Sequence, residues 1–351
     1  MHTGPFHSLR SLRAGRTSRT RRLFACALVP AVLLASATMI ARGGQNPAGT
    51  VAPPLETIQV RPNLFMIAGG GGNVAVQIGS DGVILVDAGA AATADATLAA
   101  IRRLTDKPIR YIVNTSADAD HVGGNAALSQ AGRSIFQIGN NLAVAMTNGG
   151  AAGIIAYETV LFRMSGRNGE SSPFPAAGWP TDTHAQPRRG LYLNDEGVEF
   201  LHQPAAHSDG DMVVFFRRSD VIAAGDIIDT TRFPVIDVAT GGSIDGEIDA
   251  LNRLVEIAIP SIPFVWKNGG TYIVPGHGRV YSQADVVTYR DMVAIIRDRV
   301  RDLMAQGRTL AQIQAASPAQ GYARAFGAES GGWTTNMFIE AIYRTSSRSA
   351  R

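Results

Sequence analysis

From Ile58 onward, short apolar blocks are separated by turns rich in Gly, Pro, Asn and Asp. Ile58-Gln-Val60 and Leu64-Phe-Met-Ile67 read as the first strands, and Gly69 to Gly72 form a hairpin turn before Asn73-Val-Ala-Val-Gln-Ile78. Ser80-Asp81-Gly82 turns again into Val83-Ile-Leu-Val86. That run has no polar position, which predicts a strand buried on both faces. Between Thr93 and Leu104 the period becomes helical, with Leu98, Ile101 and Leu104 on one face. Tyr111-Ile-Val113 is a further strand, and Gly124-Asn125 leads into a helix from about Ala126.

Asn140 to Arg189 carries a weaker pattern. It predicts a helix near Asn141–Thr147 and, because of Pro173, Pro175 and Pro180, an irregular second half. Strand patterns resume at Val198–His202, Met212–Arg217 and Val221–Ala224, followed by a helix over Ile244–Ala258 and a strand over Thr271–Val274. Ser282 to Gln306 is a long helix. Ser282 is its expected N-cap, Asp285 stands at capping-box spacing and Gly307 at the C-terminal cap. Shorter helices are expected after Thr309 and over Thr334–Arg344. Two strand-rich halves, each followed by helices, predict an α+β fold, a four-layer αββα sandwich over residues 57–346.

The first 37 residues stand apart. Residues 1–22 hold six arginines and no acid, an apolar run follows from Leu23 to Leu34, and Ala35-Ser36-Ala37 offers small residues at cleavage spacing. This is the pattern of an export signal, and Thr20-Arg21-Arg22-Leu23-Phe24 resembles a twin-arginine motif. An uncut membrane anchor is the alternative, but the run is short against the roughly 20 residues that span a bilayer. Export to the periplasm is therefore expected, with no membrane span left after cleavage and residues 38–56 as a flexible lead-in. Without residues 1–37 the chain loses six of its 32 basic residues and none of its 29 acids, so the net charge of +3 becomes −3. No basic excess is left to recruit nucleic acid. Cys26, the only cysteine, leaves with the leader, which excludes disulfides and thiolate chemistry from the mature chain.

Candidate chemistry gathers after strands. Asn114-Thr115-Ser116-Ala117-Asp118-Ala119-Asp120-His121-Val122-Gly123-Gly124-Asn125 follows one strand, and His207 lies in Ala206-His207-Ser208-Asp209-Gly210-Asp211 after another. Asp226 ends a third strand in Ala224-Gly225-Asp226, and His277 follows a fourth in Val274-Pro275-Gly276-His277-Gly278. All could meet at one edge of a sheet pair, on loops held by a rigid scaffold.

In order and with their flanking glycines, these four motifs resemble the metallo-β-lactamase superfamily over Thr57 to Gly278. There the first loop runs His-x-His-x-Asp-His-x-Gly-Gly-Asn; here the first two histidines are Ser116 and Asp118. The resemblance implies a second-metal site of Asp120, His121 and His277, with Asp226 as the bridging carboxylate. Its first-metal site maps to Ser116, Asp118 and His207, where only His207 keeps its type. A divalent cation is implied, zinc foremost, with iron or manganese as alternatives. Asp118 is either a ligand or a general base toward the attacking water, and Asp120 is the other catalytic carboxylate. Asp87 is expected beside the site rather than on the metal, His202 inside a strand and His184 in a polar loop. Trp179 and Phe174 either line a substrate cleft or pack structurally.

The expected activity is hydrolysis of a small ester, thioester, lactone or β-lactam by a metal-activated water, with one intact metal site and one altered. The competing reading is a binding or scaffold protein that kept the fold and lost turnover. The sequence carries no reading of oligomeric state.

Overall fold

A computed structural model of the chain describes residues 54–135, 150–166, 171–261 and 269–349. The leader, Cys26, nearly all of the lead-in and the helix expected near Asn141–Thr147 lie outside the described residues.

The first sheet comprises β1 (Glu56–Arg61), β2 (Leu64–Ala68), β3 (Val74–Ile78), β4 (Val83–Val86), β5 (Ile109–Val113), β6 (Gly153–Tyr157) and β7 (Asp182–His184), in that spatial order. Its first four strands form antiparallel hairpins, whereas β4 through β7 run parallel. The second sheet runs in space from β13 (Tyr281–Ser282) through β12 (Tyr272–His277), β11 (Val221–Asp229), β10 (Asp211–Phe216) and β9 (Glu196–Gln203) to β8 (Arg188–Leu193). Only β11 and β12 are parallel there.

The period-2 geometry of a strand explains the layering. In β4, Ile84 and Val86 face a core between the sheets, where they meet Phe200, Met212, Val214 and Val274. Val83 and Leu85 point the other way, onto Ile101 of helix α1 (Ala94–Leu104) and Leu128 of α3 (Asn125–Ala131). The far face of the second sheet places Val213, Phe215, Ile222 and Ile273 against α5 (Ile244–Ile257), α6 (Gln283–Ala305) and α7 (Thr335–Ser349). Helix, sheet, sheet, helix is thus the observed order, and each large aliphatic buried this way contributes roughly 1.5–3 kcal/mol. The capping box on α6 forms as the sequence predicts: Ser282 accepts from Asp285 N and the Asp285 carboxylate accepts from Ser282 N. Gly307 takes φ 74° just past that helix.

Among the described residues of Asn140–Arg189, the first half holds a strand and a helix that the sequence pattern does not announce, while the proline-bearing second half is irregular as expected apart from β7 and the start of β8. Gly153-Ile-Ile-Ala-Tyr157 forms β6, Glu158–Ser165 forms helix α4, and β7 lies beyond Pro180. Parallel strands have no local hairpin partner, so the prolines between them mark the crossover rather than an absence of strands. His184 is therefore not in a loop. It is buried on β7 with Nε2 3.2 Å from Met212 Sδ. His202 lies in β9 as expected, stacked on Tyr157 with ring centroids 3.5 Å apart. Strand β11 continues through Asp226 to Asp229 after a register shift beyond Ala223, so Asp226 sits within the strand rather than at its end.

Candidate metal centre

β5 delivers the first loop. Asn114, Thr115 and Ser116 are buried, and the single turn α2 (Ala119–Val122) then carries Asp120 and His121. Both ends of this loop are fixed. Asn114 and Asn125 exchange side-chain amide hydrogen bonds of 3.0 and 2.8 Å, and Asn125 also donates to Gly178 O. Asp87, at the end of β4 with φ 63°, accepts from Thr115 N at 2.8 Å and from Thr115 Oγ1 at 2.7 Å. Its Oδ2 also lies 2.8 Å from His121 Nδ1. Asp87 thus orients the imidazole from behind, which is the role the sequence suggests for it.

The second sheet supplies the rest. Asp226 Oδ1 lies 3.0 Å from His121 Nε2 and 3.6 Å from His277 Nε2, while Asp120 Oδ2 stands 3.2 Å from His277 Nε2. His207 Nε2 is 3.2 Å from Asp118 Oδ2, and its Nδ1 is 3.3 Å from Asp211 Oδ1. Ser208 fixes Asp211 in turn, through its amide and its hydroxyl. Two donor groups result: Asp120, His121 and His277 in one, Asp118, His207 and Asp226 in the other, with the donor atoms of each group within 4.8 Å of one another. Ser116 offers no imidazole. Its hydroxyl donates to Asp226 Oδ2 at 3.1 Å and accepts from Asp118 N at 3.3 Å.

The chemistry of one buried nitrogen tests whether a cation fits. His121 is fully buried and its Nδ1 faces the Asp87 carboxylate, so Nδ1 carries the proton in the neutral ring. Its Nε2 has no hydrogen-bond partner, although Asp226 Oδ1 is close by. An imidazole nitrogen facing a carboxylate oxygen calls for a positive charge between them, which either a ring proton or a divalent cation supplies. Donors about 2.0–2.2 Å from a common tetrahedral ion stand roughly 3.3–3.6 Å apart, close to the observed separations.

Electrostatics points the same way. Burial opposes a charged imidazole at His207, but Asp211, Asp226 and Asp118 outweigh it and push the pKa up to about 10. Burial likewise opposes charge at His121, where Asp226 and Asp87 win and hold the pKa well above the ordinary value. Burial would raise Asp226, yet His121, His207 and His277 keep it well below the carboxylate range. Asp118 goes up to about 6, raised first by burial and then by Asp226, against the pull of His207. The centre demands positive charge. With 45 % and 41 % of their side chains exposed, Asp118 and Asp120 form its mouth, whereas the histidines lie deeper.

Glycine makes room for this packing. A Cβ at Gly72, in the β2–β3 turn, would stand 2.7 Å from His121 Nε2. Gly72 N also donates to Asp120 O, and neighbouring Asn73 bonds Pro275 O and Gly276 O beside His277.

All the sequence-predicted candidates reach this one place; His184, His202, Phe174 and Trp179 serve packing. Phe174 and Trp179 pack, as Ala117 does, against a small buried cluster of Val122, Ala156, Val160 and Met164, with Trp179 Nε1 donating to Phe174 O. Sequence reasoning missed Asp229 and Arg232. The Asp229 backbone is paired with His277, its Oδ1 accepts from Thr231 N and Oγ1, and its Oδ2 accepts from Arg232 Nε. The only signal available was an acid three residues beyond Asp226, too common to single out. Asp211 lay in a quoted motif but without a role.

A family model described as "Metallo-beta-lactamase superfamily" matches residues 67–277. No curated protein sequence matches the chain. Among solved structures, the stereoselective inverting sec-alkylsulfatase Pisa1 from Pseudomonas sp. aligns with a TM-score of 0.60 at 17 % identity, covering 83 % of this chain and 50 % of that one. A double mutant of the sec-alkyl sulfatase PisA1 gives 0.61 at 16 %, with the same coverage. A metallo-beta-lactamase from Pontibacter korlensis gives 0.49 at 14 %, covering 68 % and 99 %. The chain spans about half the length of the sulfatase chains, and at these identities the likeness is one of fold.

Proposed function

The chain belongs to the metallo-beta-lactamase superfamily, and on that premise we propose that it is an exported hydrolase that holds divalent cations in both donor groups and cleaves a small ester-type molecule. One observation carries the reading: Asp118 turns toward His207 and, with Asp226, forms a second donor group beside Asp120, His121 and His277. The Ser116 and Asp118 replacements therefore rebuild the first site around a carboxylate, which favours an enzyme over a protein that has lost turnover.

When bound, a cation of this kind polarises a substrate oxygen and lowers the pKa of a water to roughly 7. The chain's own residues do the remaining work. Asp87 and Asp211 hold His121 and His207 from behind, so the imidazoles need no reorganisation during turnover. Asp118 and Asp120, exposed at the mouth, are the carboxylates placed to orient the attacking water and accept its proton. Ser116 pins one oxygen of Asp226 between the two groups. Ester, thioester, lactone and β-lactam substrates come within this chemistry, as do the sec-alkyl sulfates named for the sulfatase neighbours.

Residues 1–37 are the export signal of this proposal, with the mature chain working in the periplasm. Among the described residues no helix is long and apolar enough to cross a membrane. N-terminal sequencing of the exported protein should begin just after Ala37.

Elemental analysis of protein purified without added metal tests the central claim, coupled to a panel of chromogenic esters, thioesters, lactones, β-lactams and secondary sulfates. Tightly held cations and chelator-sensitive hydrolysis are expected. Failure to take up zinc, iron or manganese would overturn the hydrolase.

A further inference from the structure

The two donor groups differ in chemistry. Asp120, His121 and His277 present one carboxylate oxygen and two imidazole nitrogens, whereas Asp118, His207 and Asp226 present two carboxylates and a single imidazole. Ser116 does not redress the balance. It is buried against Asp226, and its hydroxyl proton is directed at Asp226 Oδ2. Carboxylate and water oxygens suit hard cations such as manganese(II), while imidazole suits zinc. Exposure separates the donors of the oxygen-rich group as well: the Asp118 side chain is 45 % exposed and that of His207 is 5 % exposed. Water has access on the Asp118 side, as a hard cation that retains part of its hydration shell requires.

We propose that the centre is a mixed-metal one, in which Asp118, His207 and Asp226 take a hard, oxygen-preferring divalent cation and Asp120, His121 and His277 take zinc. The inference rests on the reading that both groups hold cations and is independent of any substrate. Asp118 is the residue that sets the preference, since histidine there would give the two groups matching donor sets. Ser116 supports it by binding Oδ2 of Asp226, the oxygen other than the Oδ1 that lies near His121 and His277. Selectivity of this kind is relative. Zinc outranks manganese at most protein sites, so the contrast lies in how far the ranking narrows at the oxygen-rich group.

The test titrates metal-free full-length mature protein with one equivalent of zinc and then with manganese(II). Electron paramagnetic resonance of free manganese reads binding, and elemental analysis after desalting reads occupancy. The wild-type protein should take up one manganese beside the zinc. Asp118→His should weaken manganese roughly tenfold or more and tighten a second zinc by a similar factor, the range seen when a metal site loses a tuned partner. Asp118→Asn should weaken both ions at that group and leave the first zinc within about threefold of wild type, a control against general misfolding that thermal unfolding also checks. A wild-type protein that binds a second zinc but no manganese, or an Asp118→His variant with an unchanged zinc-to-manganese ratio, overturns the mixed-metal assignment and leaves the hydrolase standing. A protein that binds no cation in either group overturns both.

Discussion

Asp87 shows how much of the site depends on one carboxylate that never faces the solvent. It accepts from Thr115 twice and faces His121 Nδ1, and it does so from a left-handed backbone that Asp and Asn tolerate better than most residues. Asp87→Ala should weaken zinc binding about 10- to 100-fold through the loss of that orienting partner. Asp87→Asn, which keeps the turn, should lose less. A chelator-competition titration separates them, and equal affinities in wild type and both variants would show that His121 does not need its neighbour. Glu247 poses a different problem at the same scale. It is fully buried on α5, and neither carboxylate oxygen has a hydrogen-bond partner among the described residues. Burial first, and then Asp211, raise its pKa well above the ordinary value. The unfolded chain gives up this proton near pH 4.5 while the folded chain keeps it, so this group's contribution to stability falls as pH rises from that value toward its raised native pKa. Glu247→Gln should therefore gain on wild type from pH 5 to 8 in denaturant melts; parallel curves would refute the assignment. Neither residue's role was fully legible in sequence. Asp87 was recognised as lying near the site from Leu-Val-Asp-Ala-Gly, but Glu247 reads as an ordinary polar helix position. His121, His207, Asp226 and His277 were legible because each comes soon after an apolar run in the sequence, in motifs that resemble those of a known family. The partner of Asp118 was not, since sequence spacing does not say which way a side chain turns.

Elements, rather than single residues, bring the ligands together. The β2–β3 turn lies over His121 while its Asn73 fastens the end of β12, so one hairpin clasps ligands from both sheets. Gly72→Ala should keep the fold and lose cation binding, because its Cβ would enter the space at His121 Nε2. Circular dichroism with elemental analysis checks both halves of that claim, and full metal content in a folded variant would contradict it. At this scale the sequence was informative where strands form hairpins or where a helix carries its own caps. Ser282 and Asp285 close the predicted box on α6, a local arrangement that depends on four consecutive residues. β6 and β7 were hidden because parallel pairing is settled by distant neighbours. β8 escaped for another reason: as an edge strand whose only buried residue is Leu193, Arg-Arg-Gly-Leu-Tyr-Leu shows little of a core pattern.

The two sheets are fastened at opposite ends by different means, and that division has a consequence for the whole molecule. Away from the centre, polar bonds join turn to turn: Arg61 Nε donates to Ser219 O, Asn63 pairs with the Ser219 hydroxyl, and Asp81 and Asn194 exchange backbone-to-side-chain bonds. At the centre, Met212 N donates to Thr115 O, but the side chains that meet there are mostly carboxylates and imidazoles. Asp118, Asp120 and His121 come from the first sheet, His207, Asp226 and His277 from the second half of the chain. A cation held there would therefore cross-link the halves and, by binding the folded state in preference to the unfolded one, stabilise it. At a free concentration of 100 times its dissociation constant it adds about 2.7 kcal/mol to stability by mass action. Chelator should then lower the unfolding midpoint of the wild-type protein, and Asp118→Asn should respond less because one of its two groups is already weakened. Gly72→Ala, lacking the ion at His121, should respond least. Unfolding that is identical with and without chelator, in protein shown beforehand to contain metal, would mean that the polar bonds at the far end suffice to hold the sheets and that the cation serves chemistry alone.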